Sequence, residues 1–127
     1  AEHHVRSIKM FYDAGGKIAM GTDAGTPFNK HGANSDELAL MAGIGIAPLD
    51  ALRIATSSAA DLVDLPGEGR IAEGGFADFL LVDGDPTEDI DRAAKRENHR
   101  LVVKRGQAVS AATMALGAAP FQPLAAF

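Results

Sequence analysis

The stretch Lys17-Ile18-Ala19-Met20-Gly21-Thr22-Asp23-Ala24-Gly25-Thr26-Pro27 decides how the chain is read. Its apolar opening predicts a short strand over 17–20, and the strand breaks at Gly21 into a polar, glycine-flanked loop. A rigid strand ending in such a loop is how α/β enzymes hold a reactive group still while leaving room for a ligand. Asp23 is the group presented here. Taken alone, an Asp after a strand would do no more than cap a turn or the next helix, so its meaning depends on what surrounds it.

Upstream, Val5, Ile8 and Phe11 or Tyr12 recur at helical spacing until Gly15-Gly16 cuts the pattern, which predicts a helix feeding the strand. Downstream, Asn34 with Glu37 three residues on has the form of a helix start, leading into Leu38, Leu40 and Met41 and stopping near Gly43 to Gly45. A second helix begins at Pro48, sets Leu49, Leu52, Ala55 or Thr56, Ala59 and Leu62 along one face, and ends at Pro66-Gly67. From Gly69 the pattern changes to short strands, Arg70-Ile71-Ala72, Phe79 to Val82 and Leu101 to Lys104, with turns at Gly74-Gly75 and Arg105-Gly106. Phe79-Leu80-Leu81-Val82 is apolar on both sides and calls for cover on both faces. The alanine-rich tail from Ser110 to Phe127 has no clear period and is expected to dock on something.

The chain has 127 residues, 46% of them hydrophobic and 23% charged, enough for one ordinary domain with a core. With no cysteine, disulfides, thiolate catalysis and cysteine-ligated zinc are excluded, and a metal would need His, Asp, Glu or a modified Lys. The formal charge of -5 argues against general affinity for nucleic acid or anionic membrane. Neither a membrane-length apolar run nor a signal-peptide core is present, so the cytoplasm is the expected compartment.

In order, the 17–23 segment, the two helices and the run Gly69-Arg70-Ile71-Ala72-Glu73-Gly74-Gly75-Phe76-Ala77-Asp78-Phe79-Leu80-Leu81-Val82-Asp83-Gly84-Asp85-Pro86 resemble the C-terminal part of metal-dependent amidohydrolases. The likeness is to the imidazolonepropionase and prolidase-like branch, and it covers roughly the first four-fifths of the chain; the Gly-Thr-Asp-Ala-Gly loop and the Ala-Asp…Val-Asp-Gly-Asp-Pro hairpin are specific as a pair. The resemblance implies an α/β fold: residues 1–66 as the last strand and helices of a (β/α)8 TIM-like barrel, 67–109 as strands of a small β-sandwich, and 110–127 as a C-terminal tail.

By the same resemblance Asp23 is the aspartate of the last barrel strand, which ligates or approaches a divalent metal and takes a proton from the metal-activated water. The metal is expected to be zinc, with iron or manganese also fitting one oxygen ligand. His31 lies in the loop that would close over the substrate and is a candidate for binding a substrate carboxylate or amide, with Lys30 a weaker charge beside it. Thr22 and Thr26 are read as bracing the loop. Adjacent His3 and His4 point to different helix faces and do not form a metal pair. His99 reads as a surface residue.

A complete barrel takes about 250 residues, and the family's His-x-His, its central acid or carboxylated Lys and its later histidines have no counterpart here. The resemblance thus implies a C-terminal fragment, inactive alone, whose partners are a small amide or dipeptide substrate, the N-terminal part of the barrel and copies of itself. Two other readings compete. Phe79 to Thr87 fits the Asp-x-Asp-x-Thr pattern of haloacid-dehalogenase-like phosphatases, with Asp83 as nucleophile and Asp85 as acid/base, although no acid follows Glu97 to complete their Mg²⁺ site. The other is a non-catalytic binding or assembly module completed by another chain.

Overall fold

A computed structural model describes residues 2–27, 29–109 and 122–123. Four helices come first, α1 (Glu2–Asp13), α2 (Asp36–Gly43), α3 (Pro48–Ala55) and α4 (Ser57–Leu62). They are followed by β1 (Phe79–Val82), the short helix α5 (Asp91–Ala94), one 3₁₀ turn (Arg96–Asn98), β2 (His99–Lys104), β3 (Gln107–Val109) and β4 (Gln122–Pro123). The strands form one antiparallel sheet in the order β1-β2-β3-β4. The chain is therefore α/β, with a small antiparallel sheet after a helical half. Most of the tail lies outside the described residues; its pair Gln122–Pro123 returns to the sheet beside β3.

One apolar core joins the two halves. Leu38 and Met41 of α2, Ile46, Ala51 and Ile54 of α3, and Ile90, Ala93 and Ala94 around α5 are buried together, with Ile8, Tyr12, Ile18 and Met20 packed against them. Helix α2 ends by the mechanism its glycines suggest. Gly45 takes φ 91, the Gly45 N–H donates to Ala42 C=O (2.9 Å), and the Ile46 N–H donates to Met41 C=O (3.1 Å). This pair of bonds is the Schellman stop: a residue without Cβ enters the left-handed region and the last carbonyls are satisfied. It also brings Ile46 onto Met41, both buried. Helix α1 closes with the same bond pattern at Gly15 and Gly16, where Tyr12 Oη donates to Asp50 Oδ2 (2.6 Å) and ties α1 to the start of α3.

Four local expectations differ from the fold. Residues 17–20 are extended but are not a strand, because strand pairing requires a neighbour and none of the described residues supplies one; the Met20 N–H donates instead to Ile54 C=O (3.1 Å). Arg70-Ile71-Ala72 likewise forms no strand, and Ile71 is 90% exposed. The helix from Pro48 is broken at Thr56 (φ -122, ψ -87) into α3 and α4. That break interrupts the helical ladder after Ile54, and its carbonyl accepts the Met20 N–H. The helix start near Asn34 falls at Asp36, with Ser35 as the preceding residue and no side-chain cap; Asn34 Oδ1 accepts instead from the Gly32 N–H (3.3 Å).

In the sheet, Phe79 pairs with Val103, Leu80 with Val102 and Leu81 with Leu101, with an irregularity before Val82 pairs with His99. A two-residue turn joins β2 to β3 through Arg105 (φ 52) and Gly106 (φ 75), both left-handed as a type I′ hairpin turn demands. Asp78 locks that turn from the side: its carboxylate accepts from Lys104 Nζ and from the Arg105 N–H (2.5 Å). The cover expected over β1 is not provided by the described residues, since Phe79, Leu80 and Leu81 are 38%, 40% and 54% exposed.

Two predictions follow from this packing. Gly69 has φ 68, and a Cβ there would lie 2.6 Å from the Thr56 carbonyl oxygen and 2.9 Å from Ala60 Cβ. Gly69→Ala should cost about 1–2 kcal/mol for the left-handed backbone plus about 1–3 kcal/mol of overpacking. Gly74→Ala, where φ is 78 but nothing lies within 4 Å, should cost only the first part. Denaturant midpoints of the two variants measure the difference, and equal midpoints would refute it.

The second concerns acid. The Lys104 ammonium first, and then the Arg105 N–H, hold the Asp78 carboxyl below its ordinary pKa. The native state therefore binds fewer protons at this site than the unfolded chain does. Its contribution is complete above the ordinary carboxylate value of about 4 and is lost as pH falls through the depressed native value. Asp78→Asn should flatten that part of the stability-versus-pH curve, and an unchanged acid limb would contradict it.

Candidate active site

The extended segment 17–20 is held from two directions. Ile18 and Met20 pack on the core, and the Met20 N–H reaches the C-terminal turn of α3. Gly21 then releases the chain into a loop that is closed on itself. The Gly25 N–H donates to Asn29 C=O (2.8 Å), the Asn29 N–H to Thr26 C=O (3.0 Å), the Thr26 N–H to Asp23 C=O (3.3 Å), and Asn29 Nδ2 to the Thr22 carbonyl. Thr22 and Thr26 do brace the loop, through their backbone groups. Asn29 was not singled out in the sequence; an amide side chain just beyond a turn proline was the available signal.

Asp23 sits at the head of this loop with φ 48 and its side chain exposed. Asp and Asn tolerate the left-handed region better than other residues with a Cβ, yet Gly does so at no cost. In a loop already built with Gly21 and Gly25, retaining an acid at this angle keeps a carboxylate at the loop's head. Asp64 and Arg105 take the same left-handed conformation, so the angle alone assigns no role.

His31 is also exposed, and the structure brings it to the same loop. A Cβ built on Gly25 would lie 2.8 Å from His31 Nε2, so the imidazole occupies space that any larger residue at 25 would take. Asp23 and His31 thus belong to one loop cluster. Arg96, from the 3₁₀ turn, reaches the other side of the cluster, with Nη1 3.7 Å from a Cβ built on Gly32. The sequence offered no sign of this approach, which joins positions 64 apart along the chain.

The other candidate residues are engaged elsewhere. Asp83 pairs with Arg100. Asp85 Oδ1 accepts from the Thr87 N–H (2.8 Å) and Thr87 Oγ1 (2.6 Å), and these bonds, the hydroxyl's first, lower its pKa. Asp85 therefore serves the turn after β1, and Asp83 ties the end of β1 to β2. His99, expected at the surface, is half-buried, with Nε2 donating to Ala93 C=O (2.7 Å). Among the described residues no group of three or more His, Asp or Glu side chains could hold a metal ion. Asp23 offers one oxygen donor, and the donor set within these residues does not by itself fit a metal centre.

With the geometry fixed, comparison with known proteins is direct. The sequence profile of the Amidohydrolase family matches residues 1–109. An adenine deaminase from Geobacillus kaustophilus (strain HTA426) is 43% identical over 72 residues, 57% of this chain and 12% of that protein. A crystal structure of a Xaa-Pro dipeptidase with bound methionine in the active site superposes with TM-score 0.74 at 36% identity, covering 83% of this chain and 25% of that one. A prolidase complexed with N-methylphosphonate-L-proline gives TM-score 0.72 at 33% identity, covering 83% and 26%. The chain thus spans about a quarter of the length of these solved relatives, and about an eighth of the deaminase.

The loop geometry makes Asp23 separable from stability. Asp23→Gly removes the left-handed cost and should leave the unfolding midpoint unchanged or raise it by up to about 1 kcal/mol. Asp23→Asn, with similar volume and backbone preference, should leave it unchanged. A loss of more than about 1 kcal/mol in either variant would mean that the carboxylate serves the fold.

Proposed function

The chain belongs to the Amidohydrolase family, and on that footing we propose that it forms the C-terminal part of the active-site half of a hydrolase acting on carbon–nitrogen bonds. In this reading residues 17–20 are the last strand of a (β/α)8 barrel, the sheet belongs to an adjoining small β-sandwich, and Asp23 faces the reacting water. The supporting observation is the placement of Asp23: an exposed carboxylate in a left-handed conformation, at the end of an extended segment anchored to the core, on a loop closed by its own hydrogen bonds.

Its role follows from elementary chemistry. Water attacks a carbonyl or amidine carbon more readily if a base takes its proton as the new bond forms, and the departing nitrogen leaves more readily if a proton reaches it. One carboxylate beside the attacked carbon can do both in turn. Exposure beyond the anchored segment 17–20 would allow substrate approach, and anchoring through Met20 and Ile54 would limit the motion that separates base and water. His31, against Gly25, would contact the substrate. A divalent metal, zinc by the resemblance, would need further donors from outside the described residues.

The relatives differ in what their names imply, an adenine deaminase on one side and a Xaa-Pro dipeptidase and prolidase on the other. The C–N bond is what those chemistries share. Exposed apolar surface on the helical half also supports completion by more protein, with Met10, Leu40 and Leu62 61%, 62% and 75% exposed.

The test is turnover by the protein that carries this chain, assayed on dipeptides, N-acyl amino acids and cyclic amides. Hydrolysis should fall by about 10²–10⁴-fold in Asp23→Asn, and the purified 127-residue chain should show none. Full turnover without the Asp23 carboxylate would sink the assignment. Turnover by the isolated chain would remove the need for the rest of the barrel, and a soluble, monodisperse, inactive chain in every assembly would favour a binding module.

A further inference from the structure

Asp23 is left-handed where no helix end or hairpin asks for it. The other residues with a Cβ in that region, among those described, have a structural reason. Asp64 follows α4 in a Schellman stop, its N–H donating to Asp61 C=O (3.3 Å) and the Leu65 N–H to Ala60 C=O (3.0 Å), and Arg105 sits in the turn between β2 and β3. For a residue with a Cβ the left-handed conformation lies above the right-handed one in energy, so at Asp23 something within the loop must hold it.

The two peptide planes that meet at the Asp23 Cα are each tied. Asn29 Nδ2 donates to the Thr22 carbonyl, which belongs to the plane before Asp23, and the Thr26 N–H donates to the Asp23 carbonyl (3.3 Å) in the plane after it. A peptide unit is rigid, so two fixed planes set φ and ψ, and with them the direction of the Cα–Cβ bond. Asn29 supports the second plane as well, since its N–H donates to Thr26 C=O (3.0 Å) and its C=O accepts from the Gly25 N–H (2.8 Å). Half-buried itself, this one residue braces the exposed acid from both sides.

We propose that Asn29 is the positioning residue of Asp23, holding the carboxylate in the left-handed conformation that presents it at the head of the loop. This rests on the C–N hydrolase reading and deepens it: Asn29 acts through Asp23 and not on the substrate. Without the Nδ2 donor the plane before Asp23 is free to turn, φ returns to negative values, and the carboxylate swings away from its place.

Hydrogen exchange in the protein that carries this chain reads the hold without turnover. Asn29→Ala should speed exchange of the Gly25 and Thr26 N–H groups about tenfold, and Asn29→Asp, similar in volume but without a donor when ionised, should do the same. The amides of α2 and α3 should keep their wild-type rates. In an Asp23→Gly background the effect of Asn29→Ala should shrink, because glycine takes the left-handed region freely. A brace with only a structural role would speed exchange equally in both backgrounds. On a dipeptide, N-acyl amino acid or cyclic amide that the protein hydrolyses, Asn29→Ala should lower kcat about 10–10²-fold with KM little changed, and should add no further loss to Asp23→Asn. Unchanged exchange, an equal rise in both backgrounds, or an additive loss of kcat would each overturn the proposal, while the C–N reading stands on the loss caused by Asp23→Asn alone. Full turnover by Asp23→Asn would remove that reading, and this proposal with it.

Discussion

The position of the candidate base depends on one unusual use of a helix end. Helix α3 is interrupted at Thr56, and the backbone bond from Met20 meets its Ile54 carbonyl. Within a continuous helix that oxygen would be directed to a residue four positions on. The interruption makes it available sideways, to a segment with no paired strand among the described residues. Ile18 and Met20 add apolar contacts to the same core, so the segment is pinned by a directional bond and by packing together. The loop that carries Asp23 starts from that anchorage.

Much of this was legible in the chain. Glycines at 15–16 and 43–45 marked helix ends because the left-handed stop has a chemical requirement that local sequence can meet. The turn at Arg105-Gly106 was legible for the same reason, and so was β1, whose four apolar residues pair as expected. What could not be read was anything decided by a distant neighbour. The break at Thr56 falls in a run with good helical periodicity, and its hydroxyl still bonds back to Leu52 C=O (2.7 Å). Residues 17–20 have the composition of a strand, but pairing belongs to the partner as much as to the segment.

The candidate site divides along the same line. Asp23 was conspicuous because a charged residue between glycines, after an apolar run, has no packing role. The contact of His31 with the Gly25 position closes within the loop itself, whereas the arrival of Arg96 brings in a distant turn, which no local pattern encodes. The acid-rich run from Asp83 to Asp91 posed the opposite problem. Its Asp-x-Asp-x-Thr pattern fits a phosphatase only locally and is best taken as turn chemistry after an edge strand, and the structure gives Asp85 to a turn and Asp83, Asp89 and Asp91 to arginine or lysine partners. Such exposed pairs contribute little stability individually, and what they supply here is local shape.

The sheet's outer strand carries one more consequence. Strand β1 lies at an edge of the described sheet, with Phe79, Leu80 and Leu81 substantially exposed, a composition prone to adding a like strand from another molecule. The run is bracketed by Asp78 and Asp83, one at each end. These two acids act as gatekeepers: any copy docking along the edge would have to stack its own carboxylates near them or accommodate their bulky lysine and arginine partners. The acids that pair with β2 and its turn within one molecule thereby also place polar groups at both ends of the exposed edge.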